Sequence, residues 1–291
     1  MDDSISFIKI KEPAIKVGAI NFKLLCPRVI KFNNRCYRMY FSQEKKIQSN
    51  KIYTVIRSAV SKDCTNWLVE EGERVGFLED KSYNRMLSPA VVKINKDLYR
   101  MYFEARTLDN KGVIKSVISN DGLLWEEEPG IRMGMLNNFS YGTPFCFYET
   151  NNFFELYFER RSKTNRDIWV ATSSDGIFFD ERKIIQVIKQ EKILESYAIY
   201  SPDISYSKNC YHMYYSGWGG EPVSGHILYA YSYDKKNWKK QEIPVLSPGG
   251  TLDQKHCSEP SLIKIGDKWK IFYEGCDNNK IWRILCAKKN Q

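Results

Sequence analysis

The sequence is poor in the residues on which most metal and triad chemistry depends. Histidine occurs three times in 291 residues, at His212, His226 and His256, and no cluster of carboxylates accompanies them. No metal and no cofactor is therefore expected. The eight cysteines form no Cys-x-x-Cys pair, which removes zinc-ribbon spacing. Gly-x-Ser-x-Gly is absent, and no Ser-His-Asp set can be assembled. No apolar run approaches the ~20 residues of a membrane span. The start, Met1-Asp2-Asp3-Ser4, is acidic and lacks the apolar stretch of a signal peptide. A soluble cytoplasmic protein with reduced thiols is the expectation, with no membrane partner. Net charge is +9, but the densest basic runs, Lys235-Lys236 with Lys239-Lys240 and Arg160-Arg161, are short. With no recognisable RNA- or DNA-binding motif, they read as solvated surface and no nucleic-acid partner is expected.

Helical periodicity is also missing; what the chain has instead is a repeat. Five segments open on a proline, at Pro27, Pro89, Pro144, Pro202 and Pro260, spaced 55 to 62 residues apart. Thirteen residues after each stands a tyrosine: Tyr40, Tyr102, Tyr157, Tyr215 and Tyr273. With 19 tyrosines in the chain, five hits at one offset are not chance. Four segments carry a second marker, an Asp with an aromatic four residues on: Asp63/Trp67, Asp121/Trp125, Asp175/Phe179 and Asp234/Trp238.

Each segment reads as four short strands, rich in β-branched and aromatic residues. In the second segment, strand one is Val91 to Ile94, strand two Tyr99 to Phe103 and strand three Val113 to Ser119; strand four runs from near Trp125 to Ile131. Asn33-Asn34, Asn95-Lys96-Asp97, Asn151-Asn152, Lys208-Asn209 and Gly266-Asp267 supply hairpin turns. Five such units predict an all-β, five-bladed β-propeller with four antiparallel strands per blade. The blades cover approximately 18–80, 81–135, 136–190, 191–248 and 249–291, one domain over 1–291. The last blade ends after its third strand, so an N-terminal strand within 5–12, around Phe7-Ile8-Lys9-Ile10, is expected to close it and remove a free edge. The Tyr, Trp and Asp markers are expected to pack between blades and fix turns.

This pattern resembles the five-bladed propellers of glycoside hydrolase families 43 (arabinanases and xylosidases), 32 (invertases) and 130 (mannoside phosphorylases). The resemblance covers almost the whole chain. It rests on the strand-one proline, on Met39-Tyr40, Met101-Tyr102 and His212-Met213-Tyr214-Tyr215, and on the Ser-x-Asp-Gly-x-x-Trp turn. It implies carboxylates beside the strand-one prolines, converging on a central funnel: an acid, a base or nucleophile, and a tuner of the acid. Tyr200-Ser201-Pro202-Asp203 resembles the element with the tuner, making that residue Asp203. Ser258-Glu259-Pro260 resembles the element with the acid, making that residue Glu259. The base would stand beside Pro144, where Gly142-Thr143 is found instead.

The ends of strand two reach the same funnel mouth. They read Phe103-Glu104-Ala105-Arg106, Phe158-Glu159-Arg160-Arg161, Ser216-Gly217-Trp218 and Glu274-Gly275, and of these Glu159 or Glu104 is the candidate base. Alternatively, Arg28, Arg106 and Arg160 clamp a phosphate or carboxylate, or the Glu and Arg residues pair to hold blades together. Trp218, Tyr141 and Tyr197 are candidates for stacking on a sugar, and His256, three residues before Glu259, for acid–base or ligand contact. The expected activity is that of a glycoside hydrolase-like enzyme on a glycan or small glycoside. Two alternatives stay open: a non-hydrolytic biosynthetic enzyme working on an anionic sugar, a sugar nucleotide or a natural-product intermediate, and a non-catalytic carbohydrate-binding propeller.

Overall fold

The structure is a computed structural model and describes residues 5–16, 23–33, 36–46, 52–136, 138–149, 153–222 and 224–290. The hairpin residues Asn34, Asn151 and Asn152 lie outside these. After β1 (Phe7–Lys9), strands follow one another in antiparallel meanders. The first holds β2 (Lys23–Asn33), β3 (Cys36–Lys46), β4 (Ile52–Ser61) and β5 (Leu68–Val69). The second holds β6 (Tyr83–Asn95), β7 (Leu98–Thr107), β8 (Gly112–Ser119) and β9 (Glu126–Glu127). The third holds β10 (Ser140–Glu149), β11 (Phe153–Arg161), β12 (Arg166–Ser173) and β13 (Ile185–Ile188). The fourth holds β14 (Ala198–Ser207), β15 (Cys210–Trp218), β16 (Gly225–Ser232) and β17 (Lys239–Lys240). The last holds β18 (His256–Ile265), β19 (Lys268–Cys276) and β20 (Trp282–Lys289), and β1 pairs antiparallel with β20, Phe7 opposite Lys289. The molecule is all-β and propeller-like. Among the described residues, no helix is long and apolar enough to cross a membrane.

The Ser-x-Asp signature is a turn device. Asp121 Oδ1 accepts the backbone N–H groups of Leu123 and Leu124 at 2.8 and 2.9 Å, and Ser119 Oγ bonds the same carboxylate at 3.1 Å. Asp63, Asp175 and Asp234 repeat the arrangement. This is the Asx-turn chemistry that favours Asp there. The aromatic four residues on then packs on strand two of the preceding meander: Trp125 edge-on to Tyr40, Phe179 to Tyr102, and Trp67 of the first meander to Phe272 of the last. Residues of the first and last meanders, including Leu24, Val29, Phe272 and Ile284, share one buried apolar cluster, so the ends of the chain are held by packing as well as by strand pairing.

The tyrosines at the fixed offset divide between two faces. Tyr40 and Tyr102 donate to Gly122 O and Gly176 O in the next meander's turn, whereas Tyr215 and Tyr273 donate to Glu195 and Asp253 in the loop entering their own. The cause is hairpin length. The β14–β15 and β18–β19 hairpins have two-residue loops, while those of the first two meanders absorb an extra residue as a register shift. One residue of slip turns a side chain to the other face.

Candidate active site

Five times the chain sets a non-glycine residue in the left-handed region directly before a proline. These are Cys26, Ser88, Thr143, Ser201 and Glu259, with φ of 52, 50, 44, 50 and 56°. A side chain at positive φ is strained, and proline further restricts the residue before it. Each is a β-bulge: the register slips between Leu25 and Arg28, Leu87 and Ala90, Gly142 and Phe145, Tyr200 and Asp203, and Ser258 and Ser261. A bulge re-aims a side chain and frees a backbone N–H. Side chains of the preceding meander capture those N–H groups. Ser88 N donates to Ser42 Oγ at 3.2 Å, Thr143 N to Glu104 Oε2 at 3.3 Å, Ser201 N to Thr143 Oγ1 at 3.0 Å and Glu259 N to Ser216 Oγ at 2.8 Å. Cys26 N donates to Glu274 Oε2 at 3.1 Å, which ties the first meander to the last.

The bulges open on a cavity of about 610 Å³. Cys26, Ser88, Thr143 and Glu259 line it, with Glu104, Glu159 and Glu274 from the ends of the second strands. One wall is cationic, built from Arg85, Arg106, Arg161 and Arg166; the opposite chemistry comes from Tyr200, Trp218, His256 and Trp282. A polar, charged wall and an aromatic one suit a sugar, which offers hydroxyl edges and an apolar C–H face.

The carboxylates fall into two electrostatic groups. Glu104 accepts from Arg106 Nε at 2.8 Å and from Arg161 Nη1 and Nη2 at 2.7 and 3.0 Å. Burial pushes its carboxyl up, but Arg106 and Arg161 outweigh this and hold it well below the usual range. Glu159 is gripped by Arg161 at 2.7 Å and Arg166 at 2.7 Å. Arg106, Glu104, Arg161, Glu159 and Arg166 thus form one alternating chain of charge. Glu259 and Glu274 are different. Burial raises the Glu259 carboxyl far above its ordinary value, and the nearby Glu274 charge raises it further. Glu274 is also raised by burial, offset in part by hydrogen bonds from Ser258 and Cys26. A carboxyl that keeps its proton near neutral pH is a general acid in waiting.

The residues expected at the site part company. Glu259, Glu159, Glu104, Arg106, Trp218 and His256 all line the cavity. His256 accepts from Gly225 N at Nδ1 (3.0 Å) and meets the Tyr200 hydroxyl at Nε2 (3.2 Å); burial lowers its pKa to about 4. Tyr197 is exposed and stands edge-on to Trp218, rings 4.5 Å apart. Arg28 and Asp203 follow their prolines, one step deeper than the bulges, are buried, and form an ion pair with each other. Arg160 points the other way, its guanidinium over Phe139 at 3.5 Å and Trp169 at 4.5 Å. Strand alternation explains it, because Glu159 and Arg161 occupy the cavity face and the residue between them cannot. Tyr141 is fully buried and donates to Glu181 Oε2 at 3.0 Å.

Sequence reading placed Glu274 near the site, at the end of a second strand, but gave it no role, and it assigned none to Arg85, Arg161, Arg166, Tyr200 or Trp282. Ser42, Glu104, Glu159, Ser216 and Glu274 stand opposite Leu25, Leu87, Gly142, Tyr200 and Ser258 in the five hairpins. The two-residue hairpins of the last two meanders bring this position one residue closer to the proline, which hides the equivalence.

Fold and cavity together define a propeller of the kind used on carbohydrates, and comparison with known proteins agrees. No family model matches the chain. A β-1,2-mannobiose phosphorylase of Thermoanaerobacter sp. (strain X514) is 30% identical over 238 residues, covering 64% of this chain and 76% of that protein. Among solved structures, a glycoside hydrolase superposes with a TM-score of 0.83 at 12% identity, over 99% of this chain and 93% of the other. A β-1,2-mannobiose phosphorylase from Listeria innocua, in complex with β-1,2-mannobiose, superposes with a TM-score of 0.72 at 14% identity, over 94% and 92%. The chain belongs to the β-propeller superfamily of glycoside hydrolases and phosphorylases that these proteins represent.

Proposed function

We propose that the five meanders are the five blades of a propeller, four strands each, and that the axial cavity cleaves a glycosidic bond with Glu259 as general acid. One observation carries this: Glu259 is a buried carboxyl on the cavity wall whose hold on its proton is raised by burial and a neighbouring charge, and arginines line the same cavity. Protonation of the leaving oxygen by such a group is the step that glycosyl cleavage needs.

Phosphorolysis, the activity in the name of the 30% identical relative, fits the remaining groups better than hydrolysis. Hydrolysis by inversion requires a free carboxylate base to activate water. Glu104 and Glu159 are each paired with two arginines, so neither stands free to take a proton from water. Phosphate is an anionic nucleophile and needs no base. A phosphate oxygen attacks the anomeric carbon while the C–O bond to the leaving sugar breaks, and the oxygen of the leaving sugar takes the Glu259 proton. Arg106, Arg161 and Arg166 supply the planar donors that bind phosphate. Of the arginines on which an anionic ligand was expected, Arg106 is among these, whereas Arg28 and Arg160 are not on the cavity lining. Trp218 and Trp282 would pack on the sugar.

The test is incubation with β-1,2-mannobiose, with and without inorganic phosphate. Release of a sugar 1-phosphate only when phosphate is present supports the reading; equal release of free sugar without phosphate replaces phosphorolysis by hydrolysis. Glu259→Gln should lose turnover while remaining folded, and full activity in that variant would sink the assignment of the acid.

A further inference from the structure

Among the described residues, two buried carboxyls on the cavity wall have no arginine partner, Glu259 and Glu274, and hydrogen bonding distinguishes them. Glu274 Oε1 accepts from Ser258 Oγ at 2.7 Å, and its Oε2 accepts from Cys26 N at 3.1 Å. Both oxygens are therefore acceptors, which suits a carboxylate and not an acid. Ser258, the donor of the first bond, directly precedes Glu259 on β18 and pairs with Glu274 of β19, so the two carboxyls come from neighbouring positions of one hairpin.

We infer that Glu274 is the positioning carboxylate of this site: held unprotonated by Ser258 and Cys26, it keeps the proton of the carboxyl pair on Glu259. The inference rests on the reading of Glu259 as the acid and gives Glu274 the part that family resemblance assigned to Asp203. Asp203 is neutralised by Arg28, and the strongest charge acting on Glu259 is that of Glu274. Other facing groups do not take the role. Glu104 from β7 and Glu159 from β11 add negative field, but Arg106, Arg161 and Arg166 from β7, β11 and β12 cancel much of it. From β2 and β6, Lys23 and Arg85 are drawn to Glu44 of β3 at 2.8 and 3.6 Å. Cys26 of β2 and Tyr200 of β14 are pushed up by burial and stay neutral, and His256 of β18 is pushed down and stays neutral. The pair behaves as coupled carboxyls sharing one proton, with the hydrogen bonds choosing its seat.

The experiment is a carbon-13 titration of the glutamate side-chain carboxyls in the whole protein, with the Glu259 signal identified by its loss in Glu259→Gln. Glu259 should hold its proton through neutral pH. In Glu274→Gln its midpoint should fall by at least one pH unit, a tenfold loss of proton affinity, with partial recovery in Glu274→Asp and a smaller fall in Ser258→Ala. The alkaline limb of the kcat/KM profile should move with it. An unchanged midpoint in Glu274→Gln, or a proton seated on Glu274, would overturn the inference. If Glu274→Gln does not fold, Ser258→Ala carries the test, and an unmoved midpoint in that variant overturns it. Turnover by Glu259→Gln refutes the acid and leaves the titration result standing, so the two failures are separable.

Discussion

Arg28 and Asp203, 175 residues apart in sequence, meet as an ion pair inside the ring of strands. Arg28 Nη1 donates to Asp203 Oδ2, the same oxygen accepts Leu262 N at 3.0 Å, and the guanidinium lies 5.1 Å from the centre of the Phe145 ring. Residues from four of the five meanders are tied at one point. Removing one partner leaves a buried charge without its counterion, which costs roughly 3–5 kcal/mol. Arg28→Met and Asp203→Asn should each destabilise by about that much in denaturant titrations. The double variant should recover much of the loss, because neither charge is then buried alone. Additive losses would mean that the pair is not coupled.

Arg161 bridges Glu104 and Glu159, and this makes it the test of the cationic wall. Its fork donates to both oxygens of Glu104, a geometry that lysine cannot reproduce. Arg161→Lys should raise KM for phosphate at least tenfold with a smaller change in kcat, and Arg161→Ala should do more. A variant with unchanged KM for phosphate and a collapsed kcat would place the anion elsewhere.

The pH dependence of stability follows from the raised carboxyl of Glu259. Below the ordinary glutamate pKa, near 4.5, both folded and unfolded chains hold the proton and the site contributes no strain. As pH rises, the unfolded chain ionises first while the folded one keeps its proton, so stability falls until the folded pKa is passed. Glu259→Gln removes that loss. Its melting temperature should exceed that of the wild type at pH 8–9, and the gap should close towards pH 4. A gap that widens on acidification would reverse the sign assigned to Glu259.

The repeat was legible because its markers are local. Pro, the Ser-x-Asp turn and the following aromatic each act within a few residues, so their spacing survives in the sequence. Glu259 was legible for the same reason, being fixed by the adjacent Pro260. Glu274 was legible as a strand end near the site, but its equivalence to Glu104 and Glu159 was not, since a single extra residue in the other hairpins shifts the count from the proline. Arg28 and Arg160 show the other limit. Residue type and approximate location bring an arginine near the axis, but depth along the strand and parity across it decide whether the side chain faces the cavity, its floor or the opposite sheet face.

The inter-meander turn offers the sharpest packing prediction. Gly176 has φ of +71°, and a Cβ placed there would stand 2.4 Å from Arg100 Nη1, 2.7 Å from Tyr102 Oη and 2.9 Å from Phe154 Cε1. Gly266 is also left-handed, at +57°, yet a Cβ there meets nothing within 4 Å. Gly266→Ala should therefore cost only the conformational penalty, about 1 kcal/mol. Gly176→Ala adds a collision with a buried arginine that is itself held by Glu128 at 2.8 Å, and with a tyrosine that donates to the Gly176 carbonyl at 2.8 Å. Neither neighbour can withdraw without breaking a buried hydrogen bond, worth about 1 kcal/mol or more each. The expected loss for Gly176→Ala is thus roughly 3 kcal/mol, measured by denaturant unfolding beside Gly266→Ala. Equal losses in the two variants would mean that the turn yields freely and that the contact between the second and third meanders is not held by this glycine.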